Sequence, residues 1–356
     1  MNNLTIKIKS NNKIIGIQIL RTILCFWVVL DHLLCNKYRN KYHIFFRIRL
    51  HVPCFILISF YFSFRTISER NFEKIKKRFE RLLIPYLIFP IIILVINNIC
   101  FTLLNSSIFG YSFSFYDLIL QYIIGRKIIG VFWFQFFLIW VTLLFVIISI
   151  LFKEQYIFIL ELLYIITYYL RYSNINYNLF LKYSWLIRLS VGQFIEVLPL
   201  SLSGTILSSI NIFSILKNKT KKTILFSFSC LFFIYKFNIF YEINSFAFDG
   251  IILEIGSVLA FIIFYLLGHD YEINQSLNNI INNITKYTNG IYIMHYMLIK
   301  ALIKRINIVK SGTVLGCVFI YNISYFLSLI GEKFIMKIRK LKFDCRIIPR
   351  KRLYNS

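Results

Sequence analysis

No two cysteines in this chain are spaced CxxC. The seven present (Cys25, Cys35, Cys54, Cys100, Cys230, Cys317 and Cys345) are scattered and odd in number. That argues against a complete disulfide framework and for packing roles in apolar segments. The five histidines form neither HExxH nor HxxxH, so a metal site has no support. Acidic residues are scarce, 15 against 41 Lys and Arg, which leaves a net charge of +26. Such a balance invites a nucleic-acid reading, but the placement of the charge excludes it. The basic residues sit in short loops and at the ends of apolar runs, as positive-inside topology requires, and attraction to anionic lipid headgroups follows. No small-x-small cleavage site follows the first apolar run, which is too long for the core of a signal peptide, so it counts as a span. There is no internal repeat and no soluble catalytic module. Residues 1–356 read as one integral-membrane domain with a short basic N-terminus (1–13) and a basic tail (334–356).

Apolar residues are what the chain has in abundance: 58% of it is hydrophobic and the mean hydropathy is +0.69. No soluble domain of this length has that composition. The reading is an all-α polytopic membrane protein of about ten transmembrane helices. The runs are about 14–34, 51–66, 82–104, 131–152, 156–171, 194–216, 223–240, 248–268, 286–304 and 312–333. An even number puts both termini on one side. With that side cytoplasmic, 25 Lys and Arg fall in inside segments and 15 in outside ones, Arg21 being the remaining one. The bias favours cytoplasmic termini, although Lys37 to Arg49 forms a basic loop on the outer side.

The first run carries Arg21, Asp31 and His32, and ionisable groups in hydrocarbon are costly, about 2.5–3.5 kcal/mol for Arg or Asp at mid-helix. Arg21 and His32 are eleven residues apart. At about 100° per residue that is three turns plus about 20°, so they share a face with Cys25 and Val28, about 16 Å apart along the axis. Two readings are open. Both side chains snorkel to opposite interfaces, or both line one cavity and contact the two ends of something long. Asp31 points elsewhere, about 100° round.

After the second run, SERNFEKIKKRFERLLIPYL reads as a short helix on the cytoplasmic face, with Pro85 near the start of the third span. Lys74, Lys77, Arg78 and Arg81 recur at three- and four-residue steps, either as interfacial anchors or as a docking surface for phosphate. Trp133 and Gln135 read as belt residues at an interface. Residues 172–193 read as a loop. Glu196 and Pro199 suggest a kinked start to the sixth span, and Gly204 close packing. Glu161 and Glu254 fall inside apolar runs, each a candidate proton relay or ion-pair partner for Arg21. In the ninth span, Asn289, Tyr292 and His295 or Tyr296 share a face.

Taken together, these pieces resemble the membrane-bound acyltransferase 3 family, which acylates bacterial surface glycans and related acceptors. The family's R-x10-H pattern is met by Arg21 and His32. Its VPxFFxISGFL is matched by HVPCFILISFYF at Val52, Pro53, Phe55, Ile58 and Ser59. Phe60 stands where Gly is usual, and a bulky side chain there is expected to close a cavity or alter which acyl group fits. RRxxRxxPxY is matched at Arg78, Arg81, Pro85 and Tyr86, with Lys77 replacing the first Arg. The WFL of the fourth span appears as Trp133-Phe134-Gln135. YGIYLxH is matched at Gly290, Ile291, Tyr292 and His295.

The resemblance implies O-acyl transfer to a hydroxyl of a surface polysaccharide or its lipid-linked precursor. It further implies a bacterial inner-membrane, multi-pass enzyme with acyl-CoA, most often acetyl-CoA, as co-substrate, no permanently bound cofactor, and glycan-assembly proteins among its partners. His32 is the candidate base, since a neutral imidazole accepts the hydroxyl proton, and burial would hold it neutral. Arg21 completes the catalytic pair on the donor side. Lys77, Arg78 and Arg81 are candidates for the donor's phosphates, and Tyr292 and His295 for acceptor positioning. The rival class is a flippase, polymerase or exporter of lipid-linked glycan, which would not need Arg21 and His32 at this spacing.

Overall fold

A computed structural model describes residues 15–34, 50–104, 112–125, 127–172, 185–210, 250–270, 274–303 and 306–344. The described residues form helices: α1 (Ile15–Leu33), α2 (His51–Ser68), α3 (Phe72–Leu104), α4 (Phe115–Ile124), α5 (Phe132–Leu151) and α6 (Tyr156–Tyr172). Then come α7 (Trp185–Ser209), α8 (Gly250–Asp270), α9 (Gln275–Lys286), α10 (Thr288–Leu302), α11 (Asn307–Lys310) and α12 (Val314–Asp344). Four are long and apolar enough to cross a membrane, within Ile15–Leu33, Phe72–Leu103, Phe132–Leu151 and Val314–Lys333. Shorter apolar helices lie within 115–124, 156–169, 197–209 and 253–268. The run at 223–240 and both chain ends lie outside the described residues.

The basic linker does not form a helix of its own. It is the first part of α3, which continues through Pro85 and Pro90 for 33 residues, about 50 Å against a hydrocarbon core of about 30 Å. The charged turns therefore project beyond the apolar stretch. Gln135, expected at an interface, is buried on α5 and its amide Nε2 donates to the Leu82 carbonyl at 3.0 Å. That bond ties α5 to α3 beside Pro85, where the missing N–H weakens the helix ladder. α7 begins at Trp185, so its first residues extend into the expected loop, and Pro199 lies inside it.

Two short helices brace this frame. α4 starts with a capping box between Ser114 and Asp117 and ends at Gly125, whose φ is +83°. The Tyr86 hydroxyl on α3 bonds the carbonyls of Gln121 (2.8 Å) and Tyr122 (3.1 Å), and the Gln121 side chain accepts from the amides of Ile128 and Ile129. This pins the segment leading into α5. α9 is amphipathic, with Ile281 and Thr285 buried on one face.

Close backbone approach sets the packing around α1 and α2. A Cβ on Gly16 would collide with the Phe264 carbonyl of α8, and one on Gly204 with the Leu57 carbonyl of α2, as small residues at membrane helix contacts allow. Gly16 meets Gly268, so α1 and α8 run in opposite directions. Contacts from Arg21 to Thr288 and from His32 to His295 show that α1 and α10 run in the same direction.

Candidate active site

Arg21, on the first span, is tied to the helix that packs against it. Its Nη2 donates to Thr288 Oγ1 of α10 at 2.8 Å, and the Cys25 thiol lies 3.6 Å from the Thr288 carbonyl. Thr288 in turn donates to the Thr285 carbonyl at 3.0 Å. A helix-helix contact, not lipid, thus holds the guanidinium. Neither acidic candidate is its partner. Glu161 is exposed. Glu254 is buried on α8 and accepts hydrogen bonds from Tyr164 (2.7 Å) and from Ser203.

Arg21 faces a cleft of about 320 Å³ whose polar wall also includes Ser59, Arg78, Arg81, Lys286 and Asn289. Phe55, Phe134 and Tyr292 supply an aromatic wall, with Phe134 and Tyr292 rings 4.9 Å apart. Four cations and several rings around one cavity suit a ligand that is anionic at one end and apolar along its length. Lys77 is exposed and is not part of the lining. Helix periodicity separates it from Arg78 by one residue, enough to turn it away from the cleft.

Arg78 is the most firmly held of the four. Its Nε donates to Thr142 Oγ1 on α5 at 3.2 Å, its Nη2 to Ser59 Oγ on α2 at 2.9 Å, and its Nη1 to the Ser59 carbonyl at 3.4 Å. The face of Phe60 lies 5.3 Å from the guanidinium carbon, a cation–π distance. Phe60 is fully buried, packs on Phe145 at 5.1 Å, and does not line the cleft. The expectation that it closes a cavity is corrected: its ring points to α5 and forms a platform for Arg78. Arg81 is exposed, with its Nε bonded to the Lys77 carbonyl at 3.3 Å.

A line of rings leads from the cleft toward the far end of α1. Tyr292 lies 5.7 Å from His295, and His295 lies 5.2 Å from His32. Tyr296 meets His32 edge-on at 5.8 Å. Arg21 and His32 therefore do share a face, the one packed on α10. His32 itself is exposed, where burial was expected. His295 is fully buried, with Nδ1 3.2 Å from the Ile291 carbonyl. With the proton on Nδ1, Nε2 is an acceptor, and it has no hydrogen-bond partner among the described residues. Such a buried orphan acceptor is costly unless a donor completes it.

Three residues at this site carried weaker signals in the sequence. Lys286 registers there only as a loop charge, Thr288 as part of the ninth run, and His51 only as the first residue of a motif. His51 is buried at the start of α2, within electrostatic reach of His295. Among the described residues no group of three or more His, Cys, Asp or Glu is placed to hold a metal ion.

No curated protein and no solved structure matches the chain. The family model described as an acyltransferase domain matches residues 14–331, a span that takes in α1, the cationic cleft and the histidine pair. Membership of that family makes the chain a transferase of acyl groups other than aminoacyl groups, and the apolar helices make it a multi-pass membrane protein. The chain belongs to the acyltransferase 3 family.

Proposed function

We propose that this enzyme moves an acetyl group from acetyl-CoA to a hydroxyl of a bacterial surface polysaccharide or its lipid-linked precursor, in the inner membrane. The observation that carries the reading is the continuity of the cationic cleft with the Tyr292, His295 and His32 rings. Arg78 and Arg81 take the donor's phosphates and Arg21 the arm beyond them, nearer the thioester. His32 takes the proton of the acceptor hydroxyl as its oxygen bonds to the acyl carbon. The carbon–sulfur bond breaks, and the proton ends on the thiolate of coenzyme A. His295 Nε2 accepts a hydrogen bond from an acceptor hydroxyl and holds the sugar beside His32, with Tyr292 on the donor side. Glycan-assembly proteins are the partners that would deliver a lipid-linked acceptor.

The direct test is mass spectrometry of surface glycan from cells with and without the gene. Loss of the acetyl mass increment from the acetylated sugar residues is the expected result. An unchanged glycan acyl pattern, with the protein present in the parent strain, would overturn the assignment of acceptor.

The reading also fixes an orientation, with the cleft opening to the cytoplasm, where acyl-CoA is found, and both termini on that side. Single cysteines placed in 1–12 or 345–356 of a cysteine-free background should escape an impermeant maleimide in intact cells and react after permeabilisation. Labelling of either end in intact cells would overturn the orientation.

A further inference from the structure

We propose that Lys286 is a third cationic contact for the donor's phosphates, beside Arg78 and Arg81, and that Glu332 holds it back when no donor is bound, the two forming an electrostatic latch. The inference rests on the donor reading above. Lys286 is the last residue of α9 and lines the cleft beside Thr288 and Asn289. Its Nζ lies 3.1 Å from Glu332 Oε1 on α12 and 3.3 Å from the Tyr287 hydroxyl.

The other three cations of the cleft are bonded to neutral groups: Arg21 to Thr288, Arg78 to Ser59 and Thr142, Arg81 to the Lys77 carbonyl. Among the described residues, Lys286 alone of the four is paired with a carboxylate. Packing, not chance, puts Glu332 there. Gly290 of α10 lies so close to Ser328 that a Cβ would come within 2.6 Å of its Oγ. Glu332 is one turn further along the same face of α12.

The pair is built to open. Lys286, whose side chain is 51% exposed, is the partner free to swing; Glu332 is 31% exposed with its Oε2 buried and stays in place, and an ion pair with one partner this open to solvent is weak. Lys carries its charge on a flexible four-carbon stem. A phosphate offers more charge and more acceptor oxygens than a carboxylate, so a donor in the cleft outcompetes Glu332. In the empty protein the carboxylate offsets repulsion among four like charges.

The test is calorimetric titration of coenzyme A into the full-length protein in nanodiscs at low salt. Glu332→Gln, which keeps the shape and removes the competitor, should tighten binding by about 3- to 10-fold. Lys286→Met should weaken it by about tenfold, with Lys286→Arg close to wild type. The double variant should match Lys286→Met, because Glu332 acts only through Lys286. Wild-type or weaker affinity in Glu332→Gln overturns the latch. So does a double variant that keeps the gain, since the carboxylate would then act through space on the whole cleft. If wild type binds coenzyme A and Arg78→Lys weakens it while Glu332→Gln changes nothing, the latch fails and the donor reading stands. If wild type does not bind coenzyme A, both fail.

Discussion

His32→Ala is expected to lower acyl transfer by about 10²- to 10⁴-fold, the usual loss on removing a general base, with the protein still inserted and at normal abundance. The two halves of this expectation come from different facts. The catalytic half comes from position. His32 is at the far end of the ring series from the cleft, its ring tilted against that of His295 at 5.2 Å, and it shares the α10-facing side of α1 with Arg21. The abundance half comes from exposure. Truncating an exposed side chain opens no cavity in the bundle, whereas cavity formation is what makes large-to-small changes costly. His295→Ala would be a poor substitute test, because that ring is fully buried and its loss would disturb packing as well as chemistry. Thioester-dependent acylation and membrane abundance have to be measured on the same samples. Wild-type acylation at equal abundance would show that His32 is not the base. A collapse in abundance would contradict the exposure argument, and His32→Gln, which keeps a polar side chain of similar reach, then isolates the base from the fold.

The helices were legible in the sequence wherever hydrophobicity alone determines them. Nine of the ten apolar runs coincide with described helices, because a membrane leaves an apolar run little choice but to close its backbone hydrogen bonds internally. What escaped is what depends on other signals. Pro85 reads as a boundary because proline interrupts the helix ladder, yet α3 runs through it with Gln135 bonded to the neighbouring Leu82 carbonyl. That support comes from another helix and has no local trace. α4 is too short to register as a span, although its Ser114 and Asp117 form a readable capping pair. α9 is too polar to stand out in hydropathy, and only the spacing of Leu277, Ile280, Ile281 and Ile284 marks its apolar face.

The site divides along the same line. That Arg21 and His32 look the same way follows from helical period, so one segment suffices to see it. That they look at Thr288 and His295 depends on which helix lies opposite, and nothing within α1 encodes this. The same holds for Phe60. A ring in place of glycine reads as an obstruction, but its direction toward Phe145 and Arg78 is set by α3 and α5.

Arg78→Lys should raise the KM for the acyl donor by about 10- to 100-fold and leave kcat nearly unchanged, the signature of lost uniform binding. Lys keeps the charge but cannot reproduce the fork. Thr142 and Ser59 hold three edges of the guanidinium, and its flat face lies over Phe60. An ammonium on a flexible stem would satisfy one of these partners at a time and would no longer present a fixed edge to a phosphate. Arg81→Lys is the internal comparison. Arg81 is exposed, and its bond to the Lys77 carbonyl is long at 3.3 Å, so it acts mainly as a point charge at the mouth. Lysine supplies that equally well, and a change of no more than about threefold is expected. Because Arg78 joins α2, α3 and α5, the substitution should also lower the melting temperature of the ligand-free protein. The two effects separate a binding role from a scaffolding one. A lower melting temperature with an unchanged donor KM would make Arg78 a strut alone, and equal KM shifts in Arg78→Lys and Arg81→Lys would mean that charge, not the anchored fork, is what the donor reads.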